Sequence, residues 1–317
     1  MTISTPLPPQ SFAQRLAGGL VGLLVGDALG VPYEFHPPRA LPSASAIEMV
    51  PPVAFSRSHA HVKPGTWSDD GAQALCLLAS LQFCERLDLD DFGRRLLNWC
   101  DHGYLAVDGE IFDIGITTHQ AMERLRAGIP ASRSGLIGEN ANGNGALMRV
   151  LPLALWHGGS DEELVADARA SALPTHGHLR SQLCCALYCL WARRILENQD
   201  DAWLSAVGTL RGIFAEGTFE RAELEGPILS WDKPGGTGYV VDCLHSARWA
   251  VAQGDYEAAV RSAILLGYDT DTTACVAGGI SGLIHGLDVI PLRWRQSLRD
   301  FEVIQPMIAK LLDWSGC

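Results

Sequence analysis

The sequence predicts an all-α protein, and three observations carry that expectation. Ala- and Leu-rich stretches recur along most of the 317 residues, alternating β-branched runs bounded by turn residues are almost absent, and glycines recur at helical spacing. Gly18, Gly22, Gly26 and Gly30 form one series, and Gly278, Gly282 and Gly286 another. Glycines four apart lie roughly along one helix face and let a neighbouring backbone approach closely. A hydrophobic content of 47% is ample for a sizeable core, and no composition shift, linker or repeat divides the chain. The expected organisation is an N-terminal extension at 1–11 and one compact domain at 12–317.

Taken in order, the first helix is expected at 12–29, where the first glycine series ends on Gly26-Asp27-Ala28-Leu29-Gly30. From Val31 to Thr66 the chain holds seven of its seventeen prolines (32, 37, 38, 42, 51, 52, 64) and little helical period. A long irregular loop is expected there, of the kind that forms lids and binding loops. Helices follow at 71–86, after Ser68-Asp69-Asp70, then at 90–100 and at 118–127, after Asp113-Ile114-Gly115-Ile116-Thr117-Thr118. The next is expected at 144–157, after the polar turn Glu139 to Gly143. Further Ala- and Leu-rich segments predict helices at 161–172, 178–197, 201–215, 238–253 and 255–266. The last expected helix, 272–286, opens after Asp269-Thr270-Asp271.

A net charge of -12 and a pI of about 5.2 argue against generic binding to nucleic acid or anionic membranes, so a phosphate-bearing ligand needs local donors or metal ions. Met1 to Gln10 has no basic or apolar leader pattern, and the apolar stretches at Leu16 to Val25 and Ala274 to Leu287 are shorter than a bilayer requires. The nine cysteines are scattered without metal-finger spacing and read as reduced core residues. A cytoplasmic location is expected, with neither nucleic acid nor membrane as partner.

The chemistry concentrates in two acidic clusters, Ser68-Asp69-Asp70 and Asp269-Thr270-Asp271-Thr272, each leading into a segment too apolar to face water. Unpaired buried carboxylates are costly, and carboxylates interleaved with hydroxyls offer the hard oxygens that Mg²⁺, Mn²⁺ or Ca²⁺ prefer. Four aspartates could balance two divalent ions. The competing reading is helix N-capping, for which Ser68, Asp69, Asp269 and Asp271 are suitable types. No glutamate stands at position twelve of an EF-hand loop, and neither cluster holds the His or Cys that zinc favours. The Glu139 to Arg149 segment could present free amides and a helix N-terminus to a pyrophosphate, or be an ordinary Asn-Gly turn.

Together these segments resemble the ADP-ribosylglycohydrolase family, metal-dependent hydrolases that remove ADP-ribose from modified proteins. The resemblance runs from about Phe12 to Leu312. It rests on Gly26-Asp27-Ala28-Leu29-Gly30 with Glu34, Trp67-Ser68-Asp69-Asp70-Gly71, Phe112-Asp113-Ile114-Gly115, and Gly143-Asn144-Gly145-Ala146-Leu147-Met148-Arg149 with Pro152. Thr175-His176, Gly236-Thr237-Gly238-Tyr239-Val240 and Gly267-Tyr268-Asp269-Thr270-Asp271-Thr272 complete it. The resemblance implies an orthogonal helical bundle with two Mg²⁺ or Mn²⁺ ions held by Ser68, Asp69, Asp70, Asp269, Asp271 and Thr272. It also implies that Glu34 is an acidic lid residue, that Asp113 and Gly115 lie by the scissile ribose, and that Asn142, Gly143, Asn144 and Gly145 cradle the diphosphate. His176 and Tyr239 would line the distal ribose or adenine side.

Glycosidic cleavage at the ribose passes through an oxocarbenium-like state, so sugar orientation, water activation and leaving-group assistance are needed. Metals suit the first two, with Asp70 or Glu34 exchanging protons. Arginine is the preferred linkage. The alternatives are a hydrolase of serine-linked or small-molecule ADP-ribose conjugates, and an immunity protein that neutralises an ADP-ribosyltransferase toxin, for which the Thr2 to Gln10 arm is the motivating feature.

Overall fold

The computed structural model describes residues 11–317; the Thr2 to Gln10 arm lies outside them. Among the described residues no strand forms, only the isolated bridges Leu136–His176 and Gly143–Tyr239. The helices in the first half are α1 (Phe12–Gly30), α2 (Asp69–Cys84), α3 (Leu89–His102), α4 (Ile116–Arg126), α5 (Ala131–Ser134) and α6 (Leu151–Trp156). Then come α7 (Asp161–Ala172), α8 (Leu179–Leu196), α9 (Ala202–Ile213), α10 (Phe219–Glu223), α11 (Val240–Val251) and α12 (Tyr256–Leu265). The last are α13 (Thr270–His285), α14 (Leu292–Ser297) and α15 (Phe301–Trp314).

Local chemistry sets many of these boundaries. Ser11 accepts the Gln14 amide to start α1, and Ser160 with Glu163 forms a reciprocal capping box on α7. Gly103, in the left-handed region, closes α3. Three short helices and α15 carry no Ala- and Leu-rich signal of their own; α15 tolerates Pro306 within its length. The expected helix at 144–157 is instead a single 3₁₀ turn at Asn144–Ala146 followed by α6. Pro152 sits in the first turn of α6, where a residue without an N–H belongs, so the helix starts seven residues late.

The centre of the molecule is the antiparallel pair α1 and α13. A Cβ on Gly18 would stand 2.4 Å from Gly282 O, one on Gly22 2.5 Å from Gly278 O, and one on Gly26 2.1 Å from Ala274 O. Only glycine on this face allows the two backbones to touch. Arg15 anchors the same pair from the far end, donating to Leu283 O at the end of α13 (2.8 Å), to Asn198 Oδ1 (2.8 Å) and to Ile195 O in α8. The segment Phe12–Tyr33 is 22 residues and apolar enough to cross a bilayer by length and composition, which corrects the shorter reading of 16–25; from Arg15 onward it is buried inside the fold.

The loop after α1 is laced down. Tyr33 Oη donates to Glu48 O (2.8 Å), the Ser58 amide donates to Pro32 O (3.0 Å), and Glu48 pairs with Arg261 and Arg293 (2.7 and 3.0 Å). The close glycine contact has a consequence at the other end of α1. A Cβ on Gly30 would lie 2.4 Å from Asp271 Cα, and Thr270 Oγ1 donates to Gly30 O (2.8 Å). The first turn of α13 is thereby pressed against the end of α1, beside the first turn of α2.

Candidate active site

Asp27, buried near the end of α1, accepts the Ser68 amide (2.9 and 3.1 Å) and the Gly71 amide (2.8 Å). It thus holds the start of α2. Ser68 caps α2 by accepting the Asp70 amide (3.2 Å), which bears out capping for Ser68 while leaving both aspartates free of that duty. Asp269, at the N-cap of α13, makes no capping hydrogen bond and instead accepts from Asn144 Nδ2 (2.9 Å). Thr272 Oγ1 donates to Asp70 Oδ1 (3.3 Å), so the two clusters meet although about two hundred residues separate them.

The meeting point is one wall of a cavity of about 610 Å³. Glu34, Asp69, Asp70, Asp113, Asp269 and Thr272 line it on the acidic side, and Gly115, Gly143, Asn144, Gly145 and His176 line the rest. Ser68 and Asp271 lie behind that wall, both buried. Asn142 and Tyr239 are not on it. Asn142 Oδ1 accepts from Ser181 Oγ (3.1 Å) and its Nδ2 donates to Glu139 O (3.0 Å), so both ends of the side chain hold the loop together. Tyr239 packs edge-on against Trp231 at 5.3 Å. The expected cradle of free amides is also reduced: the Asn144 amide donates to Gly238 O (3.0 Å), and no long helix begins at the turn to lend its dipole.

Burial is the first cause of every shift in the acidic wall. It pushes the Asp27 carboxyl up to about 7, against the amide hydrogen bonds that hold it down. It pushes Asp113 up to about 7, helped by the charge of Asp269. Asp69, Asp70 and Asp271 are driven well above the usual carboxylate range by burial and then by a neighbouring acid, first Asp113 for Asp69, Asp27 for Asp70 and Glu34 for Asp271. Glu34 rises by burial and the nearby Asp113, Asp269 and Asp69. Asp70 Oδ2 and Asp271 Oδ2 are buried without a hydrogen-bond partner. Oxygens of Glu34, Asp269 and Asp271 lie within 4.8 Å of one another. Hard, uncompensated oxygens packed this closely fit divalent cations, which would lower all of these pKa values together.

Two further features escape sequence reasoning. His59, from the proline-rich loop, stands with Nε2 2.6 Å from Glu34 Oε2 and 4.0 Å from Asp113 Oδ1. Nothing local marks it, because its partners lie 25 and 54 residues away. The second feature is a buried chain from Asp69 to His176. Gln73 Nε2 donates to Asp69 Oδ2 (2.9 Å), Arg149 donates to Gln73 Oε1 (2.7 Å) and to Thr175 Oγ1 (2.7 Å), and Thr175 Oγ1 meets His176 Nδ1 (2.7 Å). Burial holds His176 neutral, with a pKa of about 3. The Thr175 hydroxyl, which accepts from Arg149, also shares a hydrogen bond with Nδ1 and so fixes the orientation of the ring. Gly145 makes room for that ring: a Cβ there would stand 2.8 Å from His176 Cε1.

Residues 8–315 match the family model described as ADP-ribosylglycohydrolase. The ADP-ribosylarginine hydrolase Tri1 of Serratia proteamaculans is 30% identical over 98% of this chain and 82% of its own length. The protein of the same name from Pseudomonas putida is 29% identical over 97% of this chain and 80% of its own. A solved structure titled ADP-ribosylglycohydrolase-related protein complex superposes with a TM-score of 0.76 at 32% identity, covering 96% of this chain and 99% of that one.

Proposed function

The chain belongs to the ADP-ribosylglycohydrolase family, and from that premise we propose that it hydrolyses the bond between ADP-ribose and a modified arginine of a target protein. The observation that carries the reading is the convergence of the α2 and α13 acidic turns on one wall of a cavity of about 610 Å³, a size that suits a nucleotide sugar. The arginine linkage is supported by the names of the Serratia and Pseudomonas relatives, both ADP-ribosylarginine hydrolases. In this reading residues 12–317 are the catalytic unit, the substrate partner is an ADP-ribosylated protein, and the location is the cytoplasm, which suits nine free cysteines, six of them buried.

Ser68, Asp69, Asp70, Asp269, Asp271 and Thr272 would hold two divalent ions, Mg²⁺ or Mn²⁺. Bound there, the ions supply a grip on the ribose hydroxyls and polarisation of water. Asp113 orients the ribose. Asp70 and Glu34 hold and pass the proton that water loses. Gly143 and Gly145 admit the diphosphate, and the neutral His176 imidazole hydrogen-bonds to the bound ligand. Water oxygen joins the ribose anomeric carbon as its bond to the guanidine nitrogen breaks, and that nitrogen keeps the electron pair and gains a proton. A neutral guanidine leaves with little help from an acid.

Release of free ADP-ribose from arginine-modified and serine-modified protein, with Mg²⁺, Mn²⁺ or EDTA, tests the reading. The expected result is metal-dependent release from the arginine substrate, lowered at least about 100-fold in Asp69→Ala and Asp271→Ala. Turnover unchanged in both variants would overturn it.

A further inference from the structure

Four large apolar side chains stand in solvent beside the acidic end of the cavity: Phe35 at 66% exposure, Ile116 at 80%, Tyr268 at 47% and Ile111 at 38%. Ile116 lines the cavity itself, Phe35 follows Glu34, and Tyr268 precedes Asp269. They come from three segments of the chain, so no single amphipathic helix accounts for them. Phe35 and Tyr268 are held side by side, the Phe35 amide donating to Tyr268 O (2.6 Å) and the Tyr268 amide to His36 O (2.8 Å). Both have left-handed backbones, φ 62° and 59°, as do His59 (48°) and Asp113 (60°) at the same mouth. Bulky side chains avoid that region, and such strain persists where the surrounding structure enforces it. The Phe35 ring packs 5.6 Å from His59, which packs 5.1 Å from Phe112, so His59 links the two aromatic rings across this bank. An aromatic residue that is both strained and exposed is unfavourable twice over for the isolated chain, which points to a surface completed by something else.

We infer that this apolar bank is the docking surface for the polypeptide that carries the modified side chain. The inference rests on the proposed function, which sets ADP-ribose inside the cavity and the modified side chain at its acidic end. A cavity of about 610 Å³ holds the nucleotide sugar and not its protein, so the protein lies outside, against these residues. Apolar and aromatic contacts around a polar centre are the chemistry of a polypeptide interface. ADP-ribose offers such a surface only on its adenine.

The test compares wild type with Phe35→Ser, Ile111→Ser and the double variant in three measurements: hydrolysis of arginine-ADP-ribosylated protein, hydrolysis of free ADP-ribosyl-arginine, and inhibition by free ADP-ribose. The double variant should raise KM for the protein about 10-fold or more, while the small conjugate and the ADP-ribose inhibition constant stay within about 2-fold. Phe35→Tyr should retain the wild-type KM. Equal losses on protein and small conjugate, weakened ADP-ribose inhibition, or an unchanged protein KM would each overturn the docking role. Wild type inactive on both substrates would overturn the functional reading, and the docking role with it.

Discussion

Asp27 accepts two amides of the α2 turn from a position that never reaches the cavity wall. Replacing it with Asn leaves size and shape intact but puts an N–H₂ where one carboxylate oxygen accepted, so at least one of the three hydrogen bonds becomes a donor facing a donor. The turn that carries Ser68, Asp69 and Asp70 would then lose its fixed direction. Asp27→Asn should weaken Mg²⁺ or Mn²⁺ binding about 10- to 100-fold by titration calorimetry, with the helical signal retained. An unchanged Kd would mean that the turn holds itself. Asp27 stands out in the sequence as an acid between two glycines, yet its task is not legible there, since its partners lie 41 and 44 residues on. His59 and Gln73 were hidden for the same reason: their side chains gain a role only from residues that the fold brings near.

At the scale of elements, glycine spacing was informative and incomplete. The series in α1 and α13 mark a face of close approach, while Gly208 in α9 has nothing within 4 Å of an added Cβ. Gly26→Ala should therefore force α1 from α13 and cost stability at the upper end of about 1–3 kcal/mol. Gly208→Ala should stabilise by about 0.5–1 kcal/mol, because helical glycine loses more backbone freedom than alanine on folding. Urea denaturation of the two variants reads both signs, and loss of stability in both would show that spacing alone governs. Helices with regular apolar content were legible to within a few residues at most ends. The 144–157 segment was not: contacts with Gly238 and His176 hold its turn, and Pro152 delays the helix that follows.

For the whole molecule the dominant electrostatic fact is a set of buried acids with raised pKa values. Unfolded, these carboxyls ionise near pH 4, whereas folded without a cation they hold protons to about pH 7 for Asp27 and Asp113 and to about pH 11 for Glu34. Their contribution to stability is therefore present at low pH and lost as pH rises through those folded values. The buried neutral histidines act oppositely, but only below about pH 6.5, where the unfolded chain begins to protonate. Between pH 6.5 and 8 the metal-free protein should thus lose melting temperature. Saturating Mg²⁺ should restore it, by an increment that grows with pH because cation and proton compete for the same oxygens. Scanning fluorimetry with and without EDTA measures both, and an increment independent of pH would overturn the account.

Residue types and their local order were sufficient to determine the helical class, the two acidic turns and the family, because periodicity, capping chemistry and short motifs are properties of neighbouring positions. Only the tertiary structure decided which carboxylates face one cavity and which stand behind its wall. It also decided that the Asn142 side chain bonds to Ser181 and Glu139, and that His59 reaches Glu34. Those outcomes depend on distances between residues far apart in the chain, set here by glycine faces that let α1 and α13 touch.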